Sequence, residues 1–225
     1  MSKKLISIVT PCYNEEANVT EVWSQVKLQL EKFPQYDYEH IFIDNCSKDK
    51  TLTILKAIAA TDKNVKIIAN ARNFGQVKSP YYGLMQASGD AVILLVGDLQ
   101  DPPSLMVDFI QKWESGFKIV VGIKGETEEG GIMYYARKAY YRMIHKLSDE
   151  VELINNYTGF GLYDREVMTI LKDMKDPYPY MRGMIPEIGF EIAKLPYMQP
   201  LRKGGITSNN FYRYYDYAML GITSH

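Results

Sequence analysis

Residues 92–103 read Val-Ile-Leu-Leu-Val-Gly-Asp-Leu-Gln-Asp-Pro-Pro. An apolar run that stops at Gly97-Asp98 describes a strand buried on both faces. Pro102 and Pro103 end it and suit the first turn of a following helix. The strand delivers a carboxylate, Asp98, and an amide oxygen, Gln100, to its carboxyl end. Ligands of open α/β sheets bind at that edge, and hard oxygen donors there suit Mg²⁺ or Mn²⁺ carrying a diphosphate. The same twelve residues also read as a strand followed by an ordinary acidic turn. The neighbouring segments decide between the two.

Working outward, Leu5–Val9 is a β-rich run ended by Thr10-Pro11, and Tyr38–Ile43 is a second strand closed by Asp44-Asn45. Val65–Ala69, Ala91–Val96 and Lys118–Val121 follow as further strands. Between them lie helices. Asn18–Phe33 shows helical spacing at Val19, Val22, Trp23, Val26 and Leu30. Ser47 or Asp49 can cap a helix running to about Ala60, and Lys78–Ala87 and Ser104–Glu114 complete the set. Strands alternating with helices predict a doubly wound α/β fold with a mostly parallel central sheet and helices on both faces. After Gly122 the pattern changes. Lys124–Gly131 is charged and glycine-rich, and Ile132–Leu147 reads as a helix of cations and tyrosines with no acid. Thr158–Tyr163 reads as a strand and Arg165–Leu171 as a helix, while the stretch from Asp176 is rich in Pro, Tyr, Gly and Arg.

The 225 residues suffice for one domain with a substantial core, and with no repeat or low-complexity linker we read residues 1–225 as a single domain. A formal net charge of −1 supplies no global field for nucleic acid, so any basic site must be local. Cys12 and Cys46 lack metal-ligand spacing and suit a reducing compartment. His40, His145 and His225 are scattered, which argues against a histidine metal site. Trp23 and Trp113 sit on apolar helical stripes and read as core. No apolar run is long enough to span a bilayer, and no secretory signal is present.

The first strand leads into Pro11-Cys12-Tyr13-Asn14-Glu15-Glu16 and lacks the Gly-x-Gly-x-x-Gly of dinucleotide-binding folds. An aromatic ring and carboxylates stand where a base and ribose can lie; the same residues also suit a helix start with acidic first-turn side chains. The second strand leads into Asp44-Asn45-Cys46-Ser47-Lys48-Asp49-Lys50-Thr51, where Asp44 can bond a base edge and Asp49 caps or braces the turn. The third leads into Asn70-Ala71-Arg72-Asn73-Phe74-Gly75-Gln76, a cation with amides. Three successive strands thus end in groups suited to a nucleotide, and the fourth ends in a cation site.

These segments, in this order, resemble glycosyltransferase family 2, and within it the polyprenyl-phosphate glycosyltransferases, such as dolichol-phosphate mannosyltransferases and bactoprenol glucosyltransferases. Thr158–Arg165 and Leu201-Arg202-Lys203-Gly204-Gly205 also match, so the resemblance covers nearly the whole chain. It implies a GT-A fold and an inverting, metal-dependent transfer of a hexose from a UDP- or GDP-sugar to a polyprenyl phosphate. Residues 1–122 would form the nucleotide-sugar part and 123–225 the acceptor and membrane-facing part. Carried over by position, Pro11, Tyr13, Glu15 and Asp44 hold the nucleoside, Gln76 joins the donor-binding set, and Asp98 and Gln100 bind Mg²⁺ or Mn²⁺. Arg202, with Lys203 and Arg182 as further candidates, grips phosphate; each arginine reads equally as a surface salt bridge. The implied setting is the cytoplasmic face of the cell membrane in cell-envelope glycan synthesis. A homo-oligomer is compatible with it.

This chain departs from the family pattern in three places. Where the family usually writes Asp-x-Asp-x-Gln, the first aspartate position is Val96. The segment commonly written Gly-Asp-Phe-Arg-Leu is Thr158-Gly159-Phe160-Gly161-Leu162, which removes an acid and a cation and names no general base. A lysine expected near the end is replaced by Ser208. A phosphate acceptor tolerates a missing base, because its second pKa is about 6 and its oxygen is already anionic, whereas an alcohol needs a proton removed. The Ile132–Leu147 helix suits an interfacial position on anionic lipid, or a core-packed helix with a solvated basic face. Phe211–Tyr217 resembles an interface anchor. Two alternatives stay open: a saccharide-hydroxyl acceptor, and a nucleotide-sugar-binding module weakened in catalysis by Val96.

Overall fold

The computed structural model describes residues 3–125 and 154–199. Within them one sheet runs in the order β3-β2-β1-β4-β6-β5-β7. Its strands are β1 (Leu5–Cys12), β2 (Asp37–Asp44), β3 (Val65–Ala69), β4 (Ala91–Leu94), β5 (Ile119–Lys124), β6 (Tyr157–Asp164) and β7 (Ile192–Tyr197). β1 pairs in parallel with β2 and β4, β2 with β3, and β5 with β7; β6 alone runs antiparallel, between β4 and β5. The helices are α1 (Val19–Leu30), α2 (Thr51–Thr61), α3 (Gly75–Gln86), α4 (Met106–Glu114), α5 (Arg165–Met174) and α6 (Met181–Glu187).

The strand residues are mostly apolar because helices cover both faces of the sheet; among the buried polar exceptions Ser7 bonds Glu39 and Thr10 bonds His40. On one face Val19, Val22 and Val26 of α1, Leu55 of α2 and Phe109 of α4 pack with Ile6, Ile8, Phe42 and Ile93. On the other, Leu84 of α3, Val167 and Leu171 of α5 and Ile185 of α6 pack with Val9, Ile43, Val92 and Val121. Alternate residues of each strand feed opposite layers, as the period of two requires. The architecture is the expected one: mostly parallel, with helices on both faces.

Several boundaries differ from the sequence reading. β1 continues through Pro11 to Cys12, because Pro11 and Cys12 still pair with Ile43 and Asp44 of β2, and the Pro11 carbonyl accepts from Gly97 N–H at 3.2 Å on the other side. Its missing N–H faces the same neighbour, where β4 has already ended at Leu94. α3 begins at Gly75 rather than Lys78 and carries Pro80 inside it, which forfeits one intrahelical bond. Pro103 opens a short 3₁₀ turn, Pro103–Leu105, that leads into α4. β7 and α6 were hidden in the proline- and tyrosine-rich stretch. β7 lies at the edge of the sheet, the position that tolerates Pro196.

Candidate active site

β1 lies between β2 and β4, so the chain reverses its direction of travel across the sheet at β1. That reversal opens a crevice at the carboxyl ends of β1 and β4. Cys12, Asp44 and Ala69 stand in register at the ends of β1, β2 and β3. The three polar-ended strands read from the sequence are therefore neighbours.

The loops after β1 and β2 are tied to each other by backbone-to-side-chain bonds. Asn14 adopts φ +56 and donates its N–H to Ser47 Oγ at 3.0 Å, while its own Oδ1 accepts from Lys48 N–H at 2.7 Å. Glu15 N–H donates to Thr51 Oγ1 at 2.8 Å, and Lys50 N–H to Glu16 Oε2 at 2.8 Å. Asp49 braces the turn rather than facing a ligand. It accepts from Thr51 N–H at 3.0 Å and from Glu16 N–H at 3.1 Å. Burial pushes its carboxyl up, but the bonds from Thr51 and Glu16 outweigh that and hold it below its ordinary value. Glu15 is buried and its carboxylate accepts from Asn18 Nδ2 at 2.6 Å. Pro11 and Tyr13 are half-buried at the mouth.

Asp44 is 2% exposed. One carboxylate oxygen accepts from Ser47 N–H at 3.2 Å; the other, Oδ1, is buried with no hydrogen-bond partner among the described residues. Such an orphan acceptor is uncommon and marks a place where a donor is expected to bind.

The third loop hangs on Asn45, a residue that sequence reasoning passed over. Its Nδ2 donates to Asn73 Oδ1 at 3.0 Å and to the Gly75 carbonyl at 3.1 Å; its Oδ1 accepts from Asn70 Nδ2 at 3.1 Å and from Phe74 N–H at 2.9 Å. One buried amide thus shapes the loop that carries Arg72, whose guanidinium lies 4.1 Å from the Phe74 ring centre. Gln76 follows, exposed in the first turn of α3.

The turn after β4 alternates in exposure: Asp98 and Gln100 are half-buried, Leu99 and Asp101 buried. A Cβ at Gly97 would lie 3.0 Å from Cys12 Sγ and 3.1 Å from the Pro11 carbonyl, so a larger residue would press the ends of β1 and β4 apart slightly. Leu99 takes φ +60, a left-handed conformation that reverses the chain. Asp98 Oδ1 accepts from Gln100 N–H at 3.1 Å. Asp101 was quoted in the sequence motif but given no role. Its Oδ1 accepts from Tyr197 O–H at 2.6 Å. Burial pushes Asp101 up to about 7; Asp98 adds to the rise, while Tyr197, Lys124 and the Val96 N–H oppose it.

Asp98 and Gln100 together offer one carboxylate and one amide oxygen. Among the described residues no group of three His, Cys, Asp or Glu side chains gathers to hold a metal. The donor set nonetheless fits Mg²⁺ or Mn²⁺, which bind through one or two carboxylates and take remaining ligands from substrate phosphate and water. Cys12 lies beneath the site as a neutral thiol, pushed up by burial and then by the carboxylates of Glu15, Asp44, Asp49 and Asp98.

In β6 the positions of the missing acid and cation are glycines for different reasons: at 159 the backbone conformation disfavours a side chain, and at 161 the paired strand leaves no room for one. Gly159 has φ +102, and a Cβ at Gly161 would lie 2.5 Å from the Val120 carbonyl oxygen. Arg182 is half-buried in α6; burial raises the Tyr157 phenol, while its bond with Tyr163 and then the Arg182 charge counter the rise. Arg202, Lys203, Ser208, the Ile132–Leu147 segment and the Phe211–Tyr217 cluster lie outside the described residues.

A crevice of this kind at the head of a mostly parallel sheet is that of a GT-A glycosyltransferase. The family model described as Glycosyl transferase family 2 matches residues 7–171, and the chain belongs to that family. It is an enzyme, a nucleotide-sugar glycosyltransferase. It is 31% identical over 221 residues to the uncharacterized glycosyltransferase YkcC of Bacillus subtilis, covering 97% of this chain and 67% of that protein. It is 30% identical over 219 residues to the bactoprenol glucosyl transferase of Shigella phage SfV, covering 97% and 71% respectively. Among solved structures it resembles glucosyl-3-phosphoglycerate synthase from Mycobacterium tuberculosis in complex with Mn²⁺, UDP-glucose and phosphoglyceric acid. That match has a TM-score of 0.64 at 19% identity and covers 98% of this chain and 78% of the other.

Proposed function

We propose that this chain transfers a hexose from a UDP- or GDP-sugar to a polyprenyl phosphate, with inversion and with Mg²⁺ or Mn²⁺, at the cytoplasmic face of the cell membrane. The observation that carries the donor half is the buried, unpartnered Oδ1 of Asp44. It sits at the same sheet edge as the Asp98–Gln100 turn, and both carboxylates act on Cys12. In this reading Asp44 takes a base N–H, Tyr13 and Pro11 flank the nucleoside, and Glu15 braces their loop. Gln76 completes the donor pocket. Asp98 and Gln100 hold the cation; a divalent ion there neutralises the diphosphate leaving group.

Relatives named bactoprenol glucosyl transferase support the acceptor. So does β6: with glycine at 159 and 161 those positions offer no base, and a phosphate acceptor needs none. Its oxygen attacks the anomeric carbon in line with the departing diphosphate, which inverts that centre. Arg202 grips phosphate. Among the described residues no helix is long and apolar enough to cross a membrane. Contact with lipid is assigned to the Ile132–Leu147 and Phe211–Tyr217 segments within a single domain.

The test measures nucleoside diphosphate release from UDP-glucose and GDP-mannose with Mn²⁺, with and without polyprenyl phosphate. Release that requires both metal and lipid supports the proposal. Release driven instead by a saccharide acceptor, or donor binding without turnover under any acceptor, overturns it.

A further inference from the structure

The turn that presents Asp98 and Gln100 is held from behind. Leu99 is buried in the core despite its left-handed backbone, a conformation that persists only where the surroundings over-determine it. Asp101, 3% exposed, is the second anchor, and its partner is Tyr197 at the last position of β7. Tyr197 is itself fixed. Its carbonyl accepts from Gly125 N–H at 2.8 Å, and its ring meets Phe160 edge-on at 5.5 Å, while Phe160 packs on Phe109 at 4.8 Å. A Cβ at Gly122 would lie 2.7 Å from Phe160 Cδ1 and 3.1 Å from Tyr197 Cε1, so the glycine in β5 clears the space through which the tyrosine reaches across. A buried carboxyl, a long phenol and a cleared passage converge on a turn whose outward residues are the cation ligands of the proposed function.

We propose that Asp101 is a positioning residue: clamped by the Tyr197 hydroxyl, it fixes the Asp98–Gln100 turn in the geometry that receives the divalent cation. The inference rests on the reading of Asp98 and Gln100 as cation ligands. It also couples β7, at the far edge of the sheet, to the donor site. Partners bonded to metal ligands typically govern about 10- to 100-fold of metal affinity; here the hold acts one step further out, through the backbone of the turn, so the lower end of that range is expected.

The test titrates Mn²⁺ in the presence of saturating UDP, reading the unbound ion by electron paramagnetic resonance. UDP affinity without metal and the melting temperature are measured alongside. Tyr197→Phe, which removes one hydroxyl, weakens Mn²⁺ binding about ten-fold while metal-free UDP affinity stays at the wild-type value. Asp101→Asn keeps an acceptor oxygen for Tyr197 and remains within about three-fold of wild type. If Tyr197→Phe does not fold, Asp101→Ala, which also breaks the contact, decides by the same ten-fold criterion. Wild-type Mn²⁺ affinity in Tyr197→Phe, with Asp98→Ala losing the ion, overturns the positioning role and leaves the cation site standing. A ten-fold loss in Asp101→Asn alone assigns the effect to charge and also overturns it. So does a parallel loss of UDP affinity and melting temperature. Full Mn²⁺ affinity in Asp98→Ala overturns both readings.

Discussion

Ser47 donates its backbone N–H to one oxygen of Asp44 at 3.2 Å, and the other oxygen is buried with no partner among the described residues. An unsatisfied buried acceptor costs about 1–3 kcal/mol, which in the proposed function a nucleobase N–H offsets on binding. Uracil and guanine each present such a ring N–H. Asp44→Asn turns part of that acceptor into a donor. The expected result by calorimetry is UDP or GDP binding weakened about ten- to hundred-fold, with no fall in melting temperature. Unchanged affinity would place the base elsewhere.

Asp98 plays no comparable part in the fold. Its one described bond is to the N–H of its own turn, at 3.1 Å, and it is half-buried. Removing that bond costs about 0.5–1.5 kcal/mol at most. Asp98→Ala is therefore expected to melt within a few degrees of wild type and to lose transfer by about 100-fold or more, read as nucleoside diphosphate release with Mn²⁺. Full activity in the folded variant would remove Asp98 from the cation site.

The elements legible in the sequence were those whose signals are local. The apolar run ending at Gly97-Asp98 named β4 and the turn after it, and the alternation of strands and helices named the sheet. Asp44 was legible because a carboxylate closes a strand. Asn45 was not: its importance lies in bonds to residues 25 to 30 positions away, and nothing in an Asp-Asn pair announces them. Asp101 failed for the same reason, since Tyr197 is 96 positions distant. β7 was missed because Pro196 reads as a breaker, and only its edge position removes that objection. Local pattern reveals a group's chemistry; its partners come from the fold.

Gly161 tests why β6 departs from the family pattern. A Cβ there would lie 2.5 Å from the Val120 carbonyl oxygen and 3.2 Å from Val121 Cα, both backbone atoms of the paired strand β5. Neither can turn aside as a side chain would. Gly161→Ala is expected to destabilise by about 1–3 kcal/mol or more, a fall of roughly 3–10 °C in melting temperature for a domain of this size. An unchanged melting point would mean that β5 and β6 stand further apart than the structure shows.

His40 gives the fold a pH dependence that is separate from the site. The ring is 1% exposed, Nε2 lies 2.9 Å from Thr10 Oγ1, Nδ1 has no partner among the described residues, and Phe42 packs at 4.0 Å. Burial pushes its pKa down to about 3, against the opposing charge of Asp62. The unfolded chain titrates near 6.5. Between those values the unfolded state binds a proton that the folded state refuses, so stability falls as pH falls. The slope from this one group approaches about 1.4 kcal/mol per pH unit. His40→Gln keeps a polar end for Thr10 and cannot titrate. Urea denaturation at pH 7, 6, 5 and 4 is expected to show the wild type losing stability faster than the variant across that window, so that their difference narrows or reverses with acid. Parallel profiles for the two proteins would show that His40 takes up its proton in the folded state, and that the pocket around it is wetter than the buried ring and its unpartnered nitrogen indicate.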